Sequence, residues 1–178
     1  MDRFIIAFLV KGKTSIIHNQ LVDLVSDSFH LRKIKSPSHI TLKDSIYTDS
    51  TTEIENVLLQ LTQSSFPIGR VRFDGISNFR NQVYYIKASL DDNARNIYLN
   101  LFDRLKQIDW IQWDEFDIKD RKFHLTITNK ANSENYISIE KLLKDYENIE
   151  EEVVFDNISI LKKLETGEWI IYKSYPIV

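Results

Sequence analysis

The sequence predicts an α+β fold, duplicated into two lobes, with mostly antiparallel sheets lining a central cleft and helices on the outside. Three observations carry this prediction. Short segments rich in β-formers alternate with amphipathic segments at helical spacing. The order strand, helix, histidine-bearing strand, helix, strand runs once and then again. The two runs are offset by roughly 80 residues, as an internal duplication requires. A length of 178 residues suits about one domain. Residues 1–178 are therefore read as one domain with pseudo-repeat lobes at approximately 1–80 and 81–178.

The elements follow in order. Arg3 to Val10 is a short apolar run and reads as a buried strand. From Thr14 to Ser28, Ile17, Leu21, Leu24 and Val25 recur at helical spacing. Ile40 and Leu42 alternate with His39 and Thr41 as a half-buried strand does, and Asp44 to Ser50 reads as a polar loop. Thr52 and Glu55 have capping-box spacing ahead of a helix burying Ile54, Val57, Leu58 and Leu61. Ile68 to Phe73 and Gln82 to Ser89 read as strands around a polar turn from Gly75 to Asn81. In the second run, Asp91 or Asp92 caps a helix with Ile97, Leu101, Leu105 and Ile108 inward. After an aromatic connection (Trp110, Trp113, Phe116), Lys122 to Thr128 alternates as a strand and Tyr136 to Asn148 is helical. Val153 to Leu164 and Trp169 to Pro176 are strands around Thr166-Gly167.

Composition narrows the function. Hydrophobic residues make up 43% and charged residues 28%, which suits a globular chain. No apolar run approaches the roughly 18 residues of a membrane helix, and Phe4 to Val10 lacks the features of a signal peptide. With 0 cysteines there is no thiolate nucleophile, disulfide framework or Cys-ligated metal. A cytoplasmic, monomeric protein without membrane contact is expected. A net charge of −3 and a pI near 5.8 argue against coating long nucleic acid, but leave small nucleotides or a strand end as ligands.

Of 4 histidines, two open a His-x-Thr triplet within an apolar strand: Ser38-His39-Ile40-Thr41-Leu42 and Phe123-His124-Leu125-Thr126-Ile127. Residues i and i+2 of a strand share a face, so each histidine lies beside its threonine and opposite core residues. Composition alone would place two His-x-Ser/Thr triplets in roughly one chain in ten; one per half, at equivalent places, is roughly tenfold rarer. Imidazole titrates near neutrality, so one ring can accept a proton while the other donates one. Opening a cyclic phosphodiester needs those two roles, and threonine hydroxyls can stabilise the charge that builds on the non-bridging oxygens. No metal is required, and no His-x-x-Glu-His or Asp-x-Asp spacing is present.

Paired His-x-Thr strands in a duplicated chain resemble the 2H phosphoesterase superfamily, which includes bacterial RNA 2′,3′-cyclic phosphodiesterases, also called 2′-5′ RNA ligases. The stretch Phe66-Pro67-Ile68, Gly75-Ile76-Ser77-Asn78-Phe79 and Val83-Tyr84-Tyr85-Ile86 resembles the family's central strand–loop–strand. Ile158 to Leu161, Gly167-Glu168-Trp169 and Tyr175-Pro176-Ile177 resemble its C-terminal hairpin. The likeness spans nearly the whole chain, outside the triplets as a pattern of apolar positions. It implies that His39, Thr41, His124 and Thr126 are the catalytic residues of a metal-independent phosphodiesterase, needing no cofactor. Its substrates would be 2′,3′-cyclic phosphate ends of RNA or small nucleotides, and the reverse reaction would be 2′-5′ ligation. Tyr85 stands where many members place a tryptophan. Other readings are hydrolysis of a cyclic oligonucleotide signal or of an ADP-ribose cyclic phosphate, and a non-catalytic RNA- or nucleotide-binding module.

Further residues are assigned by position. Arg70 and Arg72 face away from the apolar side of their strand and are phosphate candidates; Lys43 lies at a strand end. Tyr85 shares a face with Lys87, and Thr128 shares that of Thr126. His18 and His30 are assigned to the surface or helix ends. The aromatic run is read as core sealing the connection between the lobes in preference to a base-stacking lid. The acidic cluster Glu147 to Glu152 is read as a solvated helix end.

Overall fold

The computed structural model describes residues 1–177. Eight strands form two four-stranded sheets with antiparallel pairing throughout. The first, in the order β2-β1-β7-β8, comprises β1 (Asp2–Leu9), β2 (His39–Thr48), β7 (Asn157–Lys163) and β8 (Trp169–Pro176). The second, β5-β4-β3-β6, comprises β3 (Arg70–Phe79), β4 (Val83–Leu90), β5 (His124–Thr128) and β6 (Glu150–Val154). The helices are α1 (Gly12–Phe29), α2 (Thr52–Thr62), α3 (Asp92–Leu105) and α4 (Tyr136–Leu143), the last followed by a 3-10 turn at Lys144–Tyr146. Sheet membership does not follow the halves of the sequence. β3 from the first half lies in the second sheet, and β7 and β8 return to the first.

One face of each sheet is packed by helices. Phe4, Ile6 and Phe8 of β1 join Ile54, Leu58 and Leu61 of α2 in the core. Val71, Phe73 and Ile86 of the second sheet join Ile97, Leu101 and Leu105 of α3 in the same core. Each such side chain stabilises the fold by about 1.5–3 kcal/mol through the water it leaves. On the other face of β1, Ile5, Ala7 and Leu9 form a small separate cluster with Leu161 beneath Trp169.

Several local expectations are corrected. The segment expected as a loop from Asp44 is strand as far as Thr48, its irregularity confined to bulges and the left-handed Ser45 (φ 49°). The turn expected from Gly75 is likewise strand to Phe79. Gly75 (φ 69°) forms a bulge there, and the reversal is the left-handed pair Arg80-Asn81 (φ 51° and 57°). The capping box fails because Thr51, not Thr52, is the N-cap, and its hydroxyl bonds the Glu55 carboxylate at 2.6 Å. Asp91 does cap α3, accepting from Ala94 N at 2.7 Å. Val153 to Leu164 is divided between β6 and β7, which lie in different sheets. The acidic cluster belongs largely to β6, where the consecutive Glu150, Glu151 and Glu152 each find a cation across or beside the strand. In the aromatic run, Trp113 is partly buried against Phe102 (ring centroids 4.7 Å apart), whereas Phe116 is 71% exposed.

Candidate active site

Both histidines begin edge strands, and those strands, β2 and β5, lie beside one another where the two sheets meet. The burial sequence is the same over His39–Lys43 and His124–Thr128: half-buried, buried, half-buried, buried, buried. Cross-strand partners explain it. His39 and Thr41 stand opposite Leu9 and Ala7, on the face carrying the small cluster under Trp169. His124 and Thr126 stand opposite Lys87 and Tyr85, while Leu125 points into the core.

The rings are fixed alike. His39 Nδ1 donates to the Pro37 carbonyl at 2.7 Å, and His124 Nδ1 to the Lys122 carbonyl at 2.9 Å. A carbonyl only accepts, so Nδ1 holds a proton in each ring and a neutral ring leaves Nε2 bare. Among the described residues, neither Nε2 nor the hydroxyls of Thr41 and Thr126 hydrogen-bond to protein. Burial holds both imidazoles below their ordinary range, and the backbone carbonyls partly oppose that effect. His39 is lowered further by the charge of His124 and raised by Asp44; His124 is lowered by Arg121. Repulsion between the rings opposes placing a proton on both.

Side chains lace the two edge strands together at each end. Arg121, just before β5, donates to the Leu42 carbonyl on β2 at 3.0 Å. Asp117 bonds Lys43 at 2.7 Å, with both side chains 2% exposed. At the other end is His18, expected at the surface or a helix end but in fact buried on α1. Its Nδ1 lies 2.8 Å from Ser38 Oγ and its Nε2 lies 2.8 Å from the Thr126 carbonyl. The helical spacing 14-18-21-25 was the signal for it, because Thr14, His18, Leu21 and Val25 are all buried. His30, by contrast, is an exposed left-handed C-cap (φ 52°).

The sequence model of the 2'-5' RNA ligase superfamily matches residues 27–167, a stretch containing both triplets. The chain belongs to the 2'-5' RNA ligase superfamily. No curated protein sequence matches it. Among solved structures, Escherichia coli LigT complexed with 3'-AMP has a TM-score of 0.60 at 9% identity, covering 99% of this chain and 98% of that one. LigT in apo form has a TM-score of 0.61 at 11% identity, covering 99% and 98%. A structure described as a phosphoesterase has a TM-score of 0.61 at 11% identity, covering 100% and 99%. At such identities the structural likeness establishes the shared two-lobe fold. Membership of the superfamily supports an enzyme of phosphoesterase or ligase type.

Within this superfamily fold, the remaining expected residues divide. Lys43 is not at the cleft. Thr41 and Lys43 stand opposite the adjacent residues Ala7 and Ile6, so a bulge shifts the alternation and turns Lys43 into the core. Thr128 is removed in the same way, since Thr126 and Thr128 stand opposite the adjacent Tyr85 and Tyr84. Tyr85 lies next to His124 but is buried beneath Phe79, with ring centroids 5.1 Å and 4.3 Å away. This leaves its face unavailable for stacking a base. Phe79, assigned to a turn from sequence, is the half-buried aromatic edge-on to His124 at 5.2 Å.

Arg70 and Arg72 do point away from the core, but they pair with Glu152 at 3.1 Å and Glu150 at 2.7 Å. Arg72 also lines a cavity of about 490 Å³ with Tyr85, Lys87, Arg121 and Lys122. Lys87, Arg121 and Lys122 are thus cations near His124 that the sequence reading did not select. Among the described residues no helix is long and apolar enough to cross a membrane.

Proposed function

We propose that the two His-x-Thr strands form the active site of a metal-independent phosphodiesterase acting on 2′,3′-cyclic phosphate ends of RNA or small nucleotides. The observation that carries this reading is the matched pair of imidazoles, each held through Nδ1 by its own strand. Among the described residues each leaves Nε2 without a protein partner, on a strand face shared with a threonine. Superfamily membership supplies the reaction class. Structures of E. coli LigT hold 3'-AMP and phosphate, ligands of the chemistry proposed here.

The neutral imidazole takes a proton from water as the water oxygen bonds to phosphorus. The bond from phosphorus to one ribose oxygen breaks, and the protonated imidazole gives that oxygen its proton. The cyclic diester becomes a monoester, and proton exchange resets the pair. Thr41 and Thr126 donate to the non-bridging oxygens, where negative charge grows. If an RNA 5′-hydroxyl takes the place of the attacking water, its oxygen bonds to phosphorus, the bond from phosphorus to the ribose 3′ oxygen breaks and that oxygen takes the proton, and the product is a 2′-5′ linkage.

The test is incubation of the purified protein with 2′,3′-cyclic nucleotides in EDTA, read by phosphorus NMR. The cyclic resonance should give way to a monoester. His39→Ala and His124→Ala should each lose about 10²- to 10⁴-fold in rate. Full activity in either variant eliminates the mechanism. Unchanged substrate held with measurable affinity would identify a nucleotide-binding module instead. The kcat/KM profile should be bell-shaped and lie on the acid side of the ordinary imidazole range, because both rings are lowered. The kcat limbs should lie at higher pH, because a bound phosphate favours imidazolium.

A further inference from the structure

His18 is the one histidine that contacts both His-x-Thr strands without belonging to either. It lies on α1, whose sequence follows β1 of the first sheet but which packs against β5 of the second. Its Nε2 must donate to the Thr126 carbonyl, so in the neutral ring Nδ1 is bare and accepts the Ser38 hydroxyl proton. Ser38 Oγ accepts in turn from Ser15 Oγ at 3.0 Å, and the Ser38 carbonyl accepts from Val10 N at 2.9 Å. The tautomer is thus the reverse of that in His39 and His124. Burial, offset in part by the Thr126 carbonyl and reinforced by His39, holds His18 to about 4. The ring is therefore neutral at ordinary pH and has both nitrogens occupied, so it has no proton to exchange with a substrate.

Its contacts are adjacent to the proposed chemistry on both sides. Ser38 directly precedes His39, whose ring rests on Pro37, while Thr126 presents its own hydroxyl. We propose that His18 is a positioning residue, a neutral strut that fixes the His39–Thr41 strand against the His124–Thr126 strand and so sets the gap between the two imidazoles. This rests on the two-histidine reading above for its effect on rate, though not for its effect on geometry.

The variants are His18→Leu, which removes both contacts, and His18→Gln, which keeps a donor for the Thr126 carbonyl. His18→Leu should lower kcat by about 10²-fold, as misplacement by about 1 Å can, with KM little changed. His18→Gln should recover part of the loss and provides the folded variant if His18→Leu does not fold. The second readout is independent of turnover: NMR titration of the His39 and His124 rings. Their mutual repulsion separates the two titrations, so a wider gap between the rings should draw the midpoints together. Asp44 beside His39 and Arg121 beside His124 also act on these titrations and are untouched by the substitutions. Unchanged midpoints, with kcat falling only in proportion to folded protein, would reduce His18 to a packing residue and overturn the proposal. If the unsubstituted protein turns over no cyclic nucleotide, the functional reading fails, and the titrations alone then decide whether the strut exists.

Discussion

The strand carrying His39 and the strand carrying His124 are alike where chemistry is proposed and unlike immediately around it. Both present the same burial sequence, anchor Nδ1 on the carbonyl two residues earlier, and bulge just after the threonine. Their neighbours differ. His124 sits against Phe79 and Tyr85 and near the charge of Arg121, whereas Asp44 acts on His39. Four residues past each histidine the paths part again. Lys43 ends in a buried ion pair and Thr128 in a hydrogen bond from Lys130 N at 3.2 Å. The two strands share what orients the histidine ring and differ in what surrounds it.

The largest test of that contrast substitutes the matched positions Lys43 and Thr128. Lys43→Met leaves the Asp117 carboxylate buried, with Arg121 as its nearest cation at 3.7 Å, and should cost about 3–5 kcal/mol of stability. Thr128→Val loses one hydrogen bond and should cost about 1 kcal/mol. Urea unfolding measures both, and equal losses would erase the difference drawn between the halves. Next come the threonines themselves. Thr41→Val and Thr126→Val should each lower kcat by about 10²- to 10³-fold, or about 2.7–4 kcal/mol, without loss of fold. Unequal losses would mean that one half carries most of the developing charge.

The third test separates the strut from the pair it spans. His18 is held to about 4 against an ordinary 6.5, so the unfolded chain binds the extra proton between those values. Its contribution, about 3 kcal/mol, is present above about pH 6.5 and lost as pH falls through about 4. His18→Gln should therefore flatten part of the fall in stability over that window, measured by denaturation at several pH values. The part due to His39 and His124, which are lowered in the same direction, should remain.

The fold class and the common face of each His-x-Thr pair were legible because strand alternation holds from each histidine to its threonine. It stops holding one step later. Bulges after Thr41 and Thr126 shift the parity, and for that reason Thr128 leaves the face assigned to it with Thr126, and Lys43, read as a strand end, turns into the core. His18 was overlooked because a reading weighted by hydrophobicity chose Ile17 and Leu24 for the inward face of α1. The face actually buried includes the polar Thr14 and His18. Phe79 and the glutamates of β6 were assigned to a turn and a helix end because β3 runs through its glycine bulge and β6 finds cations opposite. Alternation cannot report partners that lie far along the chain.

The return of β7 to the first sheet has a consequence for how the chain assembles. β1 pairs on one side with β2 and on the other with β7, where Arg3 meets Lys163. Its second ladder cannot be complete until Lys163 has left the ribosome. Closing so long a loop is entropically unfavourable and slows folding. The second sheet, whose β3, β4 and β5 are contiguous in the order of synthesis apart from α3, can form before the first is complete. Until β7 arrives one edge of β1 is open to strands of other molecules, which makes the nascent chain prone to aggregate in that interval.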